Sequence, residues 1–196
     1  MENEASILTP ERFKNGLTYN AFLAQIKVNK DHFINLYEQF SLTEDDAAFF
    51  RKVTTHPDGP KKMMVLGEDW CPDVYRGLPM MARIAESCDL DMRVFPRDSN
   101  IDIMNEFLKD GKHQSIPVAV FYTGDHRYIC HWIERPALAN DDRARIEAEV
   151  KAQNPLIDDA SLRTQVRDKN NALFPVWQQA SVEEIRAMLS KEFDIQ

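Results

Sequence analysis

The sequence predicts an α/β protein: a central mixed sheet flanked by helices, with further helices before and after it. Three observations carry that expectation. Met63-Met64-Val65-Leu66 is a continuous apolar run, the pattern of a strand buried on both faces. Val74, Leu78, Met81, Ala85 and Cys88 recur at alternating steps of four and three, which is one face of a helix. Residues 118–122 and 127–132 read as strands around Thr123-Gly124-Asp125-His126, a short antiparallel hairpin.

The elements follow in order. Residues 18–27 place Phe22, Leu23 and Ile26 on one side of a helix, and 29–40 place Phe33, Leu36, Tyr37 and Phe40 at helical spacing. Thr43-Glu44-Asp45-Asp46 offers an N-cap and an acidic first turn ahead of Phe49-Phe50, so a third helix follows. His56-Pro57-Asp58-Gly59-Pro60 is the clearest boundary. The core then runs as a strand at 61–66, the helix just described, and a short strand at 92–95. Next comes a helix capped by Ser99 or Asn100 that carries Ile103, Met104, Phe107 and Leu108 and ends at Gly111, and then the hairpin. Two parallel strands and a hairpin result. Beyond the core, 141–153 is rich in helix formers, Asn154-Pro155 and Phe174-Pro175 interrupt the chain, and Ser181-Val182-Glu183-Glu184 reads as a capping box opening a helix to about Phe193. The expected organisation is an N-terminal helical extension over 1–60 packed on a core at 61–136, and a C-terminal helical extension over 137–196, one compact domain in all.

Composition narrows the function classes. At 196 residues and 43% hydrophobic content the chain can bury one domain-sized core. Its net charge of -8, with Lys61-Lys62 only a pair and the basic residues near Arg143 interleaved with acids, argues against a nucleic-acid partner. Met1-Glu2-Asn3-Glu4 is acidic and has no apolar run, so neither a signal peptide nor a membrane anchor is expected. Three cysteines without framework spacing fit a reducing, cytoplasmic setting.

One thiol stands where the first core strand should turn into the long helix, in Trp70-Cys71-Pro72-Asp73. A cysteine there faces unpaired N–H groups and the positive end of the helix dipole, which stabilise a thiolate. Together with Pro79 inside the following helix, Ser115-Ile116-Pro117 before the hairpin, Arg97-Asp98 after the second strand and the 132–136 segment, this motif resembles the bacterial thioredoxin-like proteins with Trp-Cys-x-Asp. The resemblance covers roughly 61–136 and implies the thioredoxin fold. It implies that Pro117 is a cis-proline facing Cys71, that Ile116 exposes its backbone to a substrate strand, and that Trp70 shields one side of the sulfur. The implied chemical set is Cys71, Asp73 and Trp70. The substrate-contacting set is Ile116, Pro117, Pro72 and Arg97.

The departures from that family matter equally. Thioredoxins resolve a mixed disulfide with a second cysteine three residues on, where this chain has Val74, and carry a buried acid six residues before the first cysteine, where it has Val65. A dithiol reductase of the usual kind is therefore excluded at this motif. Glu68, Asp69 and Asp73 place negative charge around the thiol and oppose the dipole. Each effect is worth about 1 kcal/mol when exposed, which leaves the sign open.

Each residue also has a plainer reading. Cys71 could be inert, Asp73 could be an N-terminal cap rather than a base, and Arg97-Asp98 could be only a surface turn rather than an ion pair that orders the loop near the site. Cys88, about 25 Å along the helix from Cys71, is far beyond the roughly 7 Å Cα limit of a disulfide and reads as a core thiol. Cys130 is a strand residue that would either pack or pair with Cys71. Lys112 and His113 are solvated loop residues or contacts for an anionic group such as a glutathione carboxylate. Cys130-His131 with His126 lacks metal-ligand spacing, so no metal is expected.

Two functions remain. One is a monothiol redox protein in which Cys71 attacks a protein or small-molecule disulfide, a glutathione adduct or a peroxide, with no resident cofactor and an external thiol completing the cycle. The other is a non-catalytic binding module using the groove beside Pro117.

Overall fold

The computed structural model describes residues 6–195, so the acidic start Met1-Glu2-Asn3-Glu4 lies outside them. The chain begins with α1 (Pro10–Lys14), α2 (Tyr19–Gln25), α3 (Lys30–Gln39) and α4 (Glu44–Thr55). Thr9, Thr18 and Thr43 cap α1, α2 and α4, each hydroxyl accepting from the N–H three residues on. The core follows as β1 (Lys62–Gly67), α5 (Pro72–Cys88), β2 (Asp91–Pro96), a 3-10 turn at Arg97–Ser99, α6 (Ile101–Met104), β3 (Val118–Tyr122) and β4 (Tyr128–Ile133). The C-terminal part is α7 (Ala137–Gln153), α8 (Asp159–Ala172) and α9 (Phe174–Phe193).

The four strands make one mixed sheet in the order β2-β1-β3-β4. β1 runs parallel to β2 and antiparallel to β3, which pairs antiparallel with β4. Met63 to Leu66 are fully buried at the sheet centre, as a continuous apolar run requires, whereas β4 at the edge alternates between buried and part-exposed. α5 packs on β1 and β2, and α3 and α4 pack on α5.

By its contacts the chain divides into two units. One comprises the residues to Glu134 together with those from Ile185 onward; the other is Arg135–Glu184. Within the first, Arg186 pairs with Asp45 and Asp46 of α4 at 2.7 and 2.5 Å. Within the second, α7 packs on α8 and the buried Trp177 donates its indole N–H to Asp142 at 2.9 Å.

Two helices differ from the sequence expectation. The helix after Asn100 does not run to Gly111; it stops at Met104, and the following N–H groups of Glu106 and Phe107 bond three residues back. Phe107 is buried against Tyr128 and His131 of β4, and Lys109 and His113 then pair as a small antiparallel bridge, so tertiary contacts turn the chain before helical periodicity is exhausted. Ser181 does not cap a helix either. It lies inside α9 and donates to the Trp177 carbonyl at 2.7 Å. Phe174-Pro175 starts that helix instead of interrupting the chain, because a proline in the first turn has no N–H to leave unpaired.

α5 is held unusually close to the strand ends. A Cβ built on Gly67 would lie 2.8 Å from Val74 Cγ1, and one on Gly77 would lie 3.1 Å from Pro117 Cγ. Gly67→Ala is expected to destabilise the fold by about 1–3 kcal/mol through overpacking. Adding Val74→Ala should recover part of that loss in urea melts; strictly additive losses would show that the contact with Val74 is not the cause.

Candidate functional site

The site is built at the C-terminal end of β1. Gly67 closes the strand, Glu68 and Asp69 turn the chain, and Cys71 is the N-cap of α5 with extended backbone (φ -87°, ψ 123°). Its carbonyl accepts from the N–H groups of Val74 and Tyr75, each at 3.1 Å. Pro72 occupies the first helical position, exposed, where a missing N–H costs nothing. Cys71 lies at the positive end of a 17-residue helix, and the residue is 9% exposed. Its thiol donates to the Ile116 carbonyl at 3.8 Å. The Ile116–Pro117 peptide is cis, and both residues are buried at the entry to β3.

Trp70 stands on the outer side, 48% exposed, with the Arg97 guanidinium 5.0 Å above its ring. Arg97 also donates to the Gln114 carbonyl at 3.2 Å and to Asp98 Oδ1 at 2.6 and 2.8 Å. It thereby links the segment after β2, the loop before Pro117 and the tryptophan. Of the residues singled out in the sequence, Cys71 meets Ile116, the residue before Pro117, and Trp70 meets Arg97. Lys112 and His113 are exposed in the loop.

The three carboxylates of the turn are each committed to a partner. Asp69 Oδ2 accepts from the backbone N–H groups of Lys27 and Val28 at 2.8 and 3.2 Å, and Asn29 donates to the Asp69 carbonyl at 2.9 Å. Glu68 accepts from the Asp98 N–H at 2.7 Å, while burial holds its carboxyl above the ordinary range. Asp73 is buried and ion-paired with Arg76 at 2.7 Å, the two side chains being 7% and 1% exposed. A cleft of about 350 Å³ opens on the Glu68-Asp69 side, lined also by Phe22, Ile26, Lys27 and Pro96.

Sequence reasoning missed Arg76 and the 27–29 segment. Asp73-x-x-Arg76 is a helical i,i+3 pair and was readable as such. Its burial was not, because α5 is enclosed on nearly every side rather than along one apolar stripe. Val74 and Val65, the residues in the resolver and relay positions, are fully buried packing residues.

The other thiols stand apart. Cys88 donates to the Ile84 carbonyl at 3.1 Å, and burial pushes its thiol up to about 11. Cys130 pairs across the hairpin with Phe121, five residues along β3 from Ile116, which at ~3.3 Å per residue is about 16 Å and well outside disulfide reach. Burial first, and Glu192 second, push its thiol to about 12. Among the described residues no group of three or more His, Cys, Asp or Glu could hold a metal ion, and no helix is long and apolar enough to cross a membrane.

Comparison with known proteins gives a family and a fold. A thioredoxin family model matches residues 16–149. No curated protein matches the chain. Two solved structures share the fold. One is a protein of unknown function from Pseudomonas aeruginosa at 14% identity and a TM-score of 0.67, covering 96% of this chain and 99% of that one. The other is an HIV epitope-scaffold at 13% identity and 0.65, covering 95% and 99%.

Two outcomes are expected for the outlying thiols. In the native protein at pH 8, iodoacetamide should label Cys71 and leave Cys88 and Cys130 unmodified by peptide mass analysis. Because the folded values of about 11 and about 12 lie above the ordinary 9.0, the unfolded chain ionises first. Their contribution to stability is therefore complete below pH 9 and is lost as pH rises through 11 and 12. Urea melts should show that alkaline loss reduced when both residues are replaced by alanine.

Proposed function

The chain belongs to the thioredoxin family, and from that premise we propose that it is a monothiol redox protein in which Cys71 exchanges with a disulfide or a glutathione adduct. The observation that carries this reading is the placement of the Cys71 thiol. Cys71 stands at the N-cap position of α5 and its thiol rests on the Ile116 carbonyl beside Pro117, while the nearby carboxylates are bonded elsewhere. With the acidic groups committed, the helix terminus favours the thiolate, against burial and the Ile116 carbonyl, which favour the neutral thiol.

The exchange runs in two steps. The Cys71 thiolate attacks one sulfur of the substrate disulfide, forming a bond to it and releasing the other as a thiolate. A small external thiol of the glutathione class then attacks the substrate-derived sulfur of that mixed disulfide, forming a new disulfide and returning Cys71 as thiolate. Val74 makes the second thiol obligatory. The Ile116 backbone and Pro117 would hold the substrate chain, with Pro72, Trp70 and Arg97 forming the outer rim. Asp73 is the remaining chemical candidate, and as a group paired to Arg76 it fits electrostatic tuning of the helix start better than proton transfer. A reducing, cytoplasmic compartment supplies the external thiol.

One observation favours a second reading, a binding module without turnover: Cys71 as a residue is only 9% exposed, so an incoming disulfide must displace its cover. Oxidised glutathione distinguishes the two. The redox reading expects one glutathione per chain on Cys71, released by excess reduced glutathione, and Cys71→Ser should bring adduct and exchange activity to background. Persistent absence of any adduct across pH 6–9 in folded protein would favour the binding module.

A further inference from the structure

Arg76 is a guanidinium buried almost completely in the second turn of a helix, and it lies 2.7 Å from the equally enclosed Asp73 carboxylate in the first turn. Burying an ion pair costs desolvation that hydrophobic residues of similar volume would avoid, so the pair is poorly explained by stability alone. Its location offers a different explanation. Asp73 is two residues from Cys71, on the same helical turn, and both side chains are shielded from water. An uncompensated carboxylate there would act on the sulfur through protein rather than solvent and would oppose the thiolate.

We propose that Arg76 is a positioning residue that cancels the Asp73 charge at the start of α5, leaving the helix terminus to activate Cys71. This rests on the reading of Cys71 as the reacting thiol. The remaining charged groups around this helix start are arranged differently. Glu68 and Asp69 of the turn are bonded to backbone N–H groups, and Arg97 and Asp98, after β2, are paired with each other. From α3, His32 stacks on Tyr75 at 4.7 Å. From α4, the charge of Arg51 acts on Cys88, at the far end of α5. Asp73 and Arg76 form an ion pair within the first two turns of α5 itself.

The test is the pH dependence of Cys71 alkylation in full-length protein with Cys88 and Cys130 replaced by alanine, repeated with His32→Gln so that the imidazole does not enter the profile. Arg76→Met should raise the midpoint by about one to two pH units and slow alkylation at pH 7 about 10- to 50-fold. Asp73→Asn removes the carboxylate charge from beside the guanidinium and should lower the midpoint. The double variant should return near the parent, and Arg76→Lys should keep the parent profile. A purely structural pair would move both single variants the same way or not at all, and either result overturns the proposal. If Arg76→Met does not fold, as judged by circular dichroism, the sign of the Asp73→Asn shift decides alone: unchanged or upward overturns it. Failure of the monothiol reading looks different. There the parent forms no glutathione adduct, whatever the order of the five midpoints.

Discussion

The close seating of α5 on the C-terminal end of the sheet is the constraint on which the site depends. Gly67 leaves room for Val74 and Gly77 leaves room for Pro117, so two missing side chains set how deeply the helix sits. At that depth the first turn of α5 brings the Cys71 sulfur to the Ile116 carbonyl, joining residues 45 positions apart. A methyl group at either glycine would lift the helix by a few tenths of an ångström or force its neighbour aside. A sulfur contact at 3.8 Å has little tolerance for that.

Around this seat, acidic side chains that look like a cage for the thiol serve as connectors. Asp69 ties down the 27–29 segment between α2 and α3, Glu68 fixes the start of the 3-10 turn after β2, and Asp73 meets Arg76 within the helix. Hydrogen bonds to charged groups are worth about 1.5–3 kcal/mol each, so the turn is anchored to three separate parts of the chain. The same bonds draw carboxylate charge toward backbone donors and a guanidinium, and away from the sulfur. Architecture and electrostatics are here one arrangement.

Much of the fold was legible where local chemistry agrees with tertiary packing. Val118–Tyr122 is a strand over the range its apolar run marks, and Thr18 and Thr43 cap helices where their hydroxyls precede apolar periodicity. Legibility failed where the two disagree. Phe107 satisfies a helical period yet is claimed by β4, so α6 ends early. Ser181 heads a sequence that matches a capping box, but the turns before it are already helical through the buried Trp177. Asp158 caps α8 by accepting from Ala160 and Ser161, a signal that a highly polar stretch concealed.

At the site, the sequence alone determined that a single cysteine heads the long helix, that valines occupy the resolver and relay positions, and that a proline precedes the hairpin. These are properties of residue identity and order, which no packing can alter. Only the tertiary structure decided that Cys71 and Ile116 touch, that Cys130 stands about 16 Å along the sheet from them, and that Arg76 is buried on Asp73. Periodicity reports one face of a helix, whereas α5 is enclosed on nearly all sides by β1, β2, α3 and α4. Which charges meet inside that enclosure depends on contacts between distant segments, and local sequence carries no record of them.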